Sequence, residues 1–322
     1  MKKLALVAMA TAVVVLSVAC APKEPATPKV YMTTDISPEG LVKVYEALGV
    51  ELEGKVAVKI STGERGGHNF LRADLIKDLV NKVEGTLVEC NVAYPGARYS
   101  TEEHWNTIKL HGFYDIAPCD IMDEFGEIRI PVKDTIHLKF NLVGEHVQNY
   151  DAMINLAHFK GHAMGGFGGV LKNQSIGVAS SNGKAYIHSA GKVETKEELW
   201  AGIFQTEQDH FLEAMAAAAQ SVHDYYEGKM IYINVMNNLS VDCDCNAHPA
   251  DPEMGDIGIL ASTDPVALDQ ACVDLVFEYP SSEGDDATAL IERINSRHGI
   301  HIIEHAEKIG LGSRTYELVK ID

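Results

Sequence analysis

An apolar run of strand length, Val56-Ala-Val-Lys-Ile-Ser61, is followed by a polar loop, a helix-period stretch and a second apolar run, Thr86 to Asn91. Leu71, Leu75, Ile76, Leu79 and Val83 share one helical face, so the intervening stretch reads as a helix. Strand, helix and strand joined this closely make a βαβ unit with parallel strands and a right-handed crossover. The alternation recurs along the chain. Ser37-Pro-Glu opens a helix to about Leu48, with serine as N-cap and proline at the first helical position. Thr101-Glu-Glu opens another, through Ile108 and Leu110. Glu127 to Val132 and Ile136 to Val143 read as strands, and Met153 to Leu156 as a buried strand. Thr206-Glu-Gln-Asp209 resembles a capping box before a helix carrying Phe211, Leu212, Met215 and Val222. Strands Met230 to Val235 and Ile257 to Ala261, a helix from Asp264-Pro265 and a last helix near Ile303 to Ile309 follow. The expected class is α/β: two lobes of βαβ units with mostly parallel sheets, residues 29–150 and 151–322, and a cleft between them.

The first residues bear on location. Lys2 and Lys3 precede an apolar run, Leu4 to Ala19, that is short for a membrane span. It ends in Leu16-Ser-Val-Ala-Cys20, which resembles the lipobox of bacterial lipoproteins. The resemblance implies a signal peptide over residues 1–19 and a lipid on the Cys20 thiol; an ordinary signal peptide with an incidental cysteine is the alternative. Residues 20–28 hold three prolines and read as an extended tether. The expectation is an exported cell-envelope lipoprotein with no transmembrane helix in the mature chain. With 46 acids against 27 bases and a net charge of −19, the chain repels phosphates, so nucleic acid is excluded as a partner. A small-molecule ligand or a protein partner remains.

The densest chemistry lies between Asn155 and Ser180. His158, Lys160 and His162 alternate, so on a strand they share a face and on a helix the two histidines are neighbours. A paired-histidine metal site is sterically open, while a Lys160 of depressed pKa would serve as base or nucleophile. Gly165, Gly166, Gly168 and Gly169 frame a turn that can act as an anion nest before a helix. The second constellation is Asp242-Cys-Asp-Cys-Asn-Ala-His248. Cys243, Cys245 and His248 suit zinc or iron, and plain structural cysteines are the other reading. Cys90 and Cys272 sit in apolar runs and read as buried free thiols. Asp264 reads as an N-cap, and Asp269 on the same helix is the carboxylate placed to reach a site.

His158-Phe-Lys-Gly-His162, Gly166-Phe-Gly-Gly-Val-Leu-Lys-Asn173, Cys243-Asp-Cys245 and the run from Asp256 to Asp269 together resemble the bacterial and archaeal family called domain of unknown function three-six-two. Many of its members carry a ferredoxin-like insert, whereas Ser181 to Gly202 holds no cysteine; a four-iron cluster is not expected. A fainter likeness is to nickel-pincer lactate racemases, carried by His162, Met164-Gly-Gly-Phe-Gly-Gly169, Lys172, Gly177-Val-Ala-Ser180 and His188. That resemblance implies His162 as acid/base, Lys172 as the lysine holding a nickel-pincer-like cofactor and His188 as a metal ligand. Ile176 replaces a proline of that motif, and its second acid/base histidine is missing, His104 being the nearest substitute.

The expected function is therefore an enzyme that uses a divalent metal or organometallic cofactor on a small hydroxylated or carboxylated molecule, by proton or hydride transfer. Two alternatives stand beside it. One is an anionic-solute binder using Lys160, Lys172 and the glycine-loop amides. The other is a metal-binding redox lipoprotein centred on Cys243 and Cys245.

Overall fold

The computed structural model describes residues 26–322; Cys20, the expected signal peptide and most of the tether lie outside the described residues. The first strands are β1 Lys29–Thr33, β2 Val56–Lys59, β3 Thr86–Glu89, β4 Cys119–Ile121, β5 Glu127–Ile130 and β6 Asn141–Gly144. They are followed by β7 Ala152–His158, β8 Lys160–His162, β9 Gly166–Gly168, β10 Met230–Met236, β11 Gly258–Ser262 and β12 Glu317–Lys320. Helices in the first half are α1 Pro38–Ala47, α2 Ala73–Lys82 and α3 Thr101–Leu110. Those after it are α4 Val170–Val178, α5 Ser181–His188, α6 Leu199–Phe204, α7 Gln208–Tyr225, α8 Pro265–Phe277, α9 Thr288–Ser296 and α10 His301–Lys308.

Eight strands form one sheet in the order β12-β1-β11-β10-β7-β2-β3-β4. Pairing is parallel from β10 through β7, β2 and β3 to β4 and between β1 and β12, while β11 is antiparallel to both of its neighbours. The α/β class with a mostly parallel sheet is thus as expected. Strands from both sides of residue 150 share this sheet, so the two expected halves do not have separate sheets. The reason is β7: it is buried along its whole length and hydrogen-bonds β2 on one edge and β10 on the other.

Side chains alternate across the sheet and divide the core into two layers. Ile154, Leu156, Ile231 and Ile233 face α1 and α2, packing on Leu41, Val44, Ile76 and Leu79. Met153, Ala157, Met230 and Tyr232 face α4, α7, α8 and α10, where the alanine run Ala216–Ala219 lets α7 lie close. Buried on both faces, the central strands read as apolar runs rather than as alternation.

Several local expectations follow from caps. Ser37 accepts the Gly40 N–H at 3.0 Å and opens α1, and Asp264 accepts from Val266 and Ala267, both at 2.9 Å, to open α8. Two fail. The run from Ile136 is extended only at β6, since Ile136 is 66% exposed and Leu138 turns inward from a non-repetitive segment. Thr206 does not cap α7: its hydroxyl donates to Ser189 O and Gly202 O, closing α6 instead, and α7 starts from Glu207 without a side-chain cap. Among the described residues no helix is long and apolar enough to cross a membrane.

Candidate functional site

Because β2, β3, β7 and β10 run parallel, their carboxyl ends meet at one edge, and connections leave β2 and β7 in opposite directions. That is where open α/β sheets place ligands. Lys59 ends β2, Glu89 ends β3 and His158 ends β7. A cavity of about 390 Å³ opens there, lined by residues of both chain halves, with His162, Lys172, His188, Cys243 and Cys245 in its wall. Leu199, Trp200 and Ile203 of α6 supply an apolar side. The volume suits a small organic molecule.

Helix α4 is fixed to the sheet by buried polar side chains. Asn173 donates to Asn155 Oδ1 at 2.7 Å and to Lys59 O at 3.1 Å, and Asn155 donates to Val170 O at 2.8 Å. Its N-terminus is held by Asp269, whose carboxylate accepts Val170 N and Leu171 N, each at 2.9 Å, and Asn234 Nδ2 at 2.8 Å. The chain's own carboxylate therefore fills the expected anion nest, and Asp269 serves as a cap rather than in the cavity. Burial pushes its pKa up to about 6 against those three hydrogen bonds. Gly169 leaves room for that carboxylate, which a Cβ would strike. Gly168 and Gly169 line the cavity, whereas Gly166, at a left-handed φ of 81°, packs on Gly299, and Gly165 turns the β8–β9 connection.

Asp244, the residue between the two cysteines, decides the roles of the first constellation. It accepts His158 Nδ1 at 2.9 Å and pairs with Lys160 Nζ at 2.9 Å, all three being buried. His158 Nε2 is also taken, by Asn237 O at 2.6 Å, so His158 is a strut and not a ligand. Burial opposes the charge on Lys160, yet Asp244 and the cysteines outweigh it and raise its pKa. A protonated, paired Lys160 is not the nucleophile expected from sequence. His158 first, and then Lys160, hold Asp244 at about 2 in spite of burial.

With Asp244 anchored, Cys243 turns to the cavity. Its Sγ lies 3.8 Å from Lys172 Nζ and 3.3 Å from Cys245 N. The S–H of Cys245, then the Lys172 ammonium and His162, hold Cys243 well below the ordinary thiol range, while Cys245 is pushed up by the same sharing. The pair carries one proton between two sulfurs: a thiolate at 243 and a thiol at 245. All five cysteines of the described residues are free of disulfides, Cys90 and Cys272 buried as expected.

Two histidines complete the wall, held in opposite tautomers. His162 Nδ1 accepts Gly165 N at 2.9 Å and Met164 N at 3.2 Å, so its proton sits on Nε2, facing Cys243. His188 Nδ1 lies 2.7 Å from Lys184 O, which can only accept, so Nδ1 carries the proton and Nε2 is left with a lone pair. The His188 ring stacks on Phe211 at 4.8 Å. Burial drives both imidazoles toward neutrality, His188 to about 3 and His162 downward with help from Lys172. One neutral ring offers N–H and the other a lone pair.

His162, Cys243 and Cys245 each bring a ligand atom within 4.8 Å of the other two. Two sulfurs and an imidazole match a zinc site with an open position. His162 fits that set only after losing its Nε2 proton, because Nδ1 already takes two backbone N–H groups. His248 is not part of the set. Its N–H closes a turn onto Asn246 Oδ1 at 2.9 Å, and the residue is exposed. His104 is also outside the cavity, buried between Asn91 and Glu89.

Three cavity residues escaped the sequence reading: Lys59, Lys184 and Arg98. Arg98 is neutralised by Glu89 at 2.9 Å and by Glu64. Lys59 and Lys184 form no ion pair among the described residues; they donate to Ile60 O and Asn173 Oδ1, and to Ala179 O at 2.6 Å. Burial lowers both pKa values, Lys59 to about 8, with Lys184 and Lys172 repelling it further. The available signal was a lysine inside an otherwise apolar strand, Val56-Ala-Val-Lys59, where a charge needs a reason.

The family model that matches is that of a Domain of unknown function (DUF362), over residues 56–274, more than half of the 322-residue chain. No curated protein matches the sequence. The solved lactate racemase apoprotein of Thermoanaerobacterium thermosaccharolyticum is similar at 13% identity and a TM-score of 0.43, over 76% of this chain and 56% of that one. A protein of Thermotoga maritima is similar at 14% identity and a TM-score of 0.43, over 73% and 57%. The chain spans a little over half the length of either.

Proposed function

The chain belongs to the DUF362 family, and from that premise we propose that it is an enzyme moving a proton on a small carboxylated or hydroxylated molecule. The observation that carries the reading is the pair of neutral imidazoles, His188 with a lone pair and His162 with an N–H, on the wall of one cation-rich cavity. The buried ammonium groups of Lys59 and Lys184, which form no ion pair among the described residues of a chain of net charge −19, hold the substrate's anionic group. His188 Nε2 takes a proton from the carbon or hydroxyl beside that group and, as the imidazolium so formed, returns it or one gained from solvent. His162 Nε2–H donates a hydrogen bond to the oxyanion that develops. The Cys243 thiolate and the Lys172 ammonium balance each other and keep the His162 N–H oriented. Solvent exchange resets the His188 ring.

A second reading is favoured by Lys172 and by the open Nε2 of His188. Lys172 would hold a metal-bearing cofactor through its amine and His188 would ligate its metal; a bare divalent ion would find its donors in Cys243 and Cys245. When bound, such a group supplies a hydride acceptor. Export and a lipid on Cys20 belong to the same proposal; labelled fatty acid should enter the chain and be lost on C20A.

In deuterium oxide, the purified full chain is expected to exchange hydrogen next to the carboxylate of some member of a panel of small hydroxycarboxylates. Proton magnetic resonance of the panel reads it. Thermal stabilisation by the same compounds without exchange would leave a solute binder and overturn the enzyme reading. Elemental analysis and intact mass of the same sample decide the second reading: it requires a stoichiometric metal, lost with C243S or K172A.

Lys59→Met gives a separate expectation. Its folded pKa of about 8 lies below the ordinary 10.5, so its stability contribution is present above 10.5 and lost as pH falls through 8. At neutral pH the buried charge is a net cost. Lys59→Met should therefore stabilise the fold by about 1–3 kcal/mol in denaturant titrations while losing stabilisation by carboxylates. A destabilised variant that still responds to carboxylates would contradict the role given to Lys59.

A further inference from the structure

Around α7 and α10, His137, His298, His301 and His305 gather with Asp134, Asp209 and Glu213, none of them in the cavity wall. Glu213 of α7 faces His301 and His305, one turn apart on α10. Glu213 Oε1 lies 3.2 Å from His301 Nε2 and 3.5 Å from His305 Nδ1, and the three ligand atoms lie within 4.8 Å of one another. The His305 side chain is 1% exposed, and its Nδ1 has no hydrogen-bond partner. An unpartnered buried nitrogen aimed at a carboxylate is costly as it stands.

The surrounding groups are arranged as supports. His305 Nε2 is 2.7 Å from Asp134 Oδ2, which fixes the proton there and leaves the lone pair on Nδ1. His301 Nδ1 lies 3.7 Å from Glu304, within ion-pair but not hydrogen-bond distance, and its Nε2 is the atom turned to Glu213. The remaining oxygen of Glu213 is 2.6 Å from His137 Nε2. His305 and Glu213 thus each have an outer hydrogen-bond partner on the side away from the centre. That is the pattern in which carboxylates orient metal-binding imidazoles. The hydrogen bond from His301 Nε2 to Glu213 Oε1 serves part of the centre and leaves His305 Nδ1 without a hydrogen-bond partner.

We propose that Glu213, His301 and His305 bind a borderline divalent ion of the zinc class, separate from the cavity. Two imidazoles and one carboxylate supply three ligands and leave a position for water. Asp209 and His298, also within ligand distance of His301, have side chains 46% and 57% exposed, so water already serves them. The ion would clamp α10 to α7 and to the segment between β5 and β6 that carries Asp134 and His137, tying the last helix to the body of the fold.

The test uses the full chain as C243S/C245S, stripped by chelator and titrated with zinc by calorimetry and thermal denaturation. One zinc per chain is expected, with a rise of about 4–8 °C at a hundredfold excess over Kd. Adding His301→Ala should weaken zinc about 100-fold or more and remove the rise. Glu213→Gln, which keeps side-chain volume, should do the same and guards against a misfolded alanine variant; far-ultraviolet dichroism verifies both. No zinc response in C243S/C245S, or one that survives both variants, overturns the site.

Discussion

Replacing His188 by phenylalanine is expected to slow hydrogen exchange into the substrate by about 10²–10⁴-fold while leaving substrate binding in place. Phenylalanine keeps the stack on Phe211 and removes the only lone pair that His188 presents to the cavity. His162→Ala should give a comparable loss, because it removes the N–H that stabilises the developing oxyanion. Combining the two should cost little beyond either alone, because the two rings act on one proton transfer. The pH dependence carries its own sign. His188 titrates at about 3, so its basic form is complete throughout neutral pH and it adds no limb to the rate profile between pH 5 and 9. A folded value below the ordinary 6.5 also means that its stability contribution is present above 6.5 and lost as pH falls toward 3. His188→Phe should flatten that part of the acid-denaturation curve. An unchanged exchange rate in His188→Phe would remove the ring from the chemistry.

The other large effect is structural. Asp269→Ala should destabilise the fold by about 3–5 kcal/mol, read as the shift of a denaturant midpoint at constant slope. The substitution strips the acceptor from Val170 N, Leu171 N and Asn234 Nδ2, donors on three buried residues. It also releases the start of α4, three residues before Asn173 and two before Lys172. Function should fall with stability for that reason. Asp269→Asn, retaining one acceptor oxygen, should cost less. The linkage runs opposite to that of His188. Asp269 has a folded pKa raised from 3.8 to about 6, so its contribution is complete below 3.8 and lost as pH rises through about 6. In Asp269→Ala that decline between pH 4 and 6 should vanish. A loss under 1 kcal/mol would show that α4 is held by its other contacts alone.

How far the sequence could be read depended on the range of the interactions. The α1 and α8 starts were legible because Ser37 and Asp264 bond to donors two or three residues away. The βαβ unit was legible from period alone. The junction of the two halves was not, because it depends on β7 accepting β2 and β10 on its two edges, and strand partners leave no local mark. His162, Lys172 and His188 were singled out by spacing and resemblance, and they line one cavity with Cys243 and Cys245. What spacing could not disclose is which atom each one offers. Lys160 read as a reactive lysine until Asp244, more than eighty residues later, pairs with it. The glycine turn read as an anion nest, and Asp269, about a hundred residues later, fills it. His248 sat at ligand spacing from Cys245, but a turn at Asn246 carries it outward.

Two features divide the molecule's polar chemistry. In the cavity, Lys59 and Lys184, which form no ion pair among the described residues, accompany neutral rings, an arrangement that an anion would complete. Between α7 and α10, carboxylates and imidazoles surround a buried nitrogen without a partner, an arrangement completed by a cation. The two sites share no residue, so C243S/C245S and His301→Ala should act independently on thermal stability.

Long-range proton–nitrogen correlation on the full chain, labelled at histidine nitrogen and assigned with His162→Ala and His188→Phe, observes the two tautomers themselves. The expected spectrum places the His162 proton on Nε2 and the His188 proton on Nδ1, with both rings neutral at neutral pH and the His188 ring still neutral at pH 5. Matching tautomers, or either ring gaining a second proton near neutral pH, would contradict the paired donor and acceptor from which the proton-transfer function is inferred.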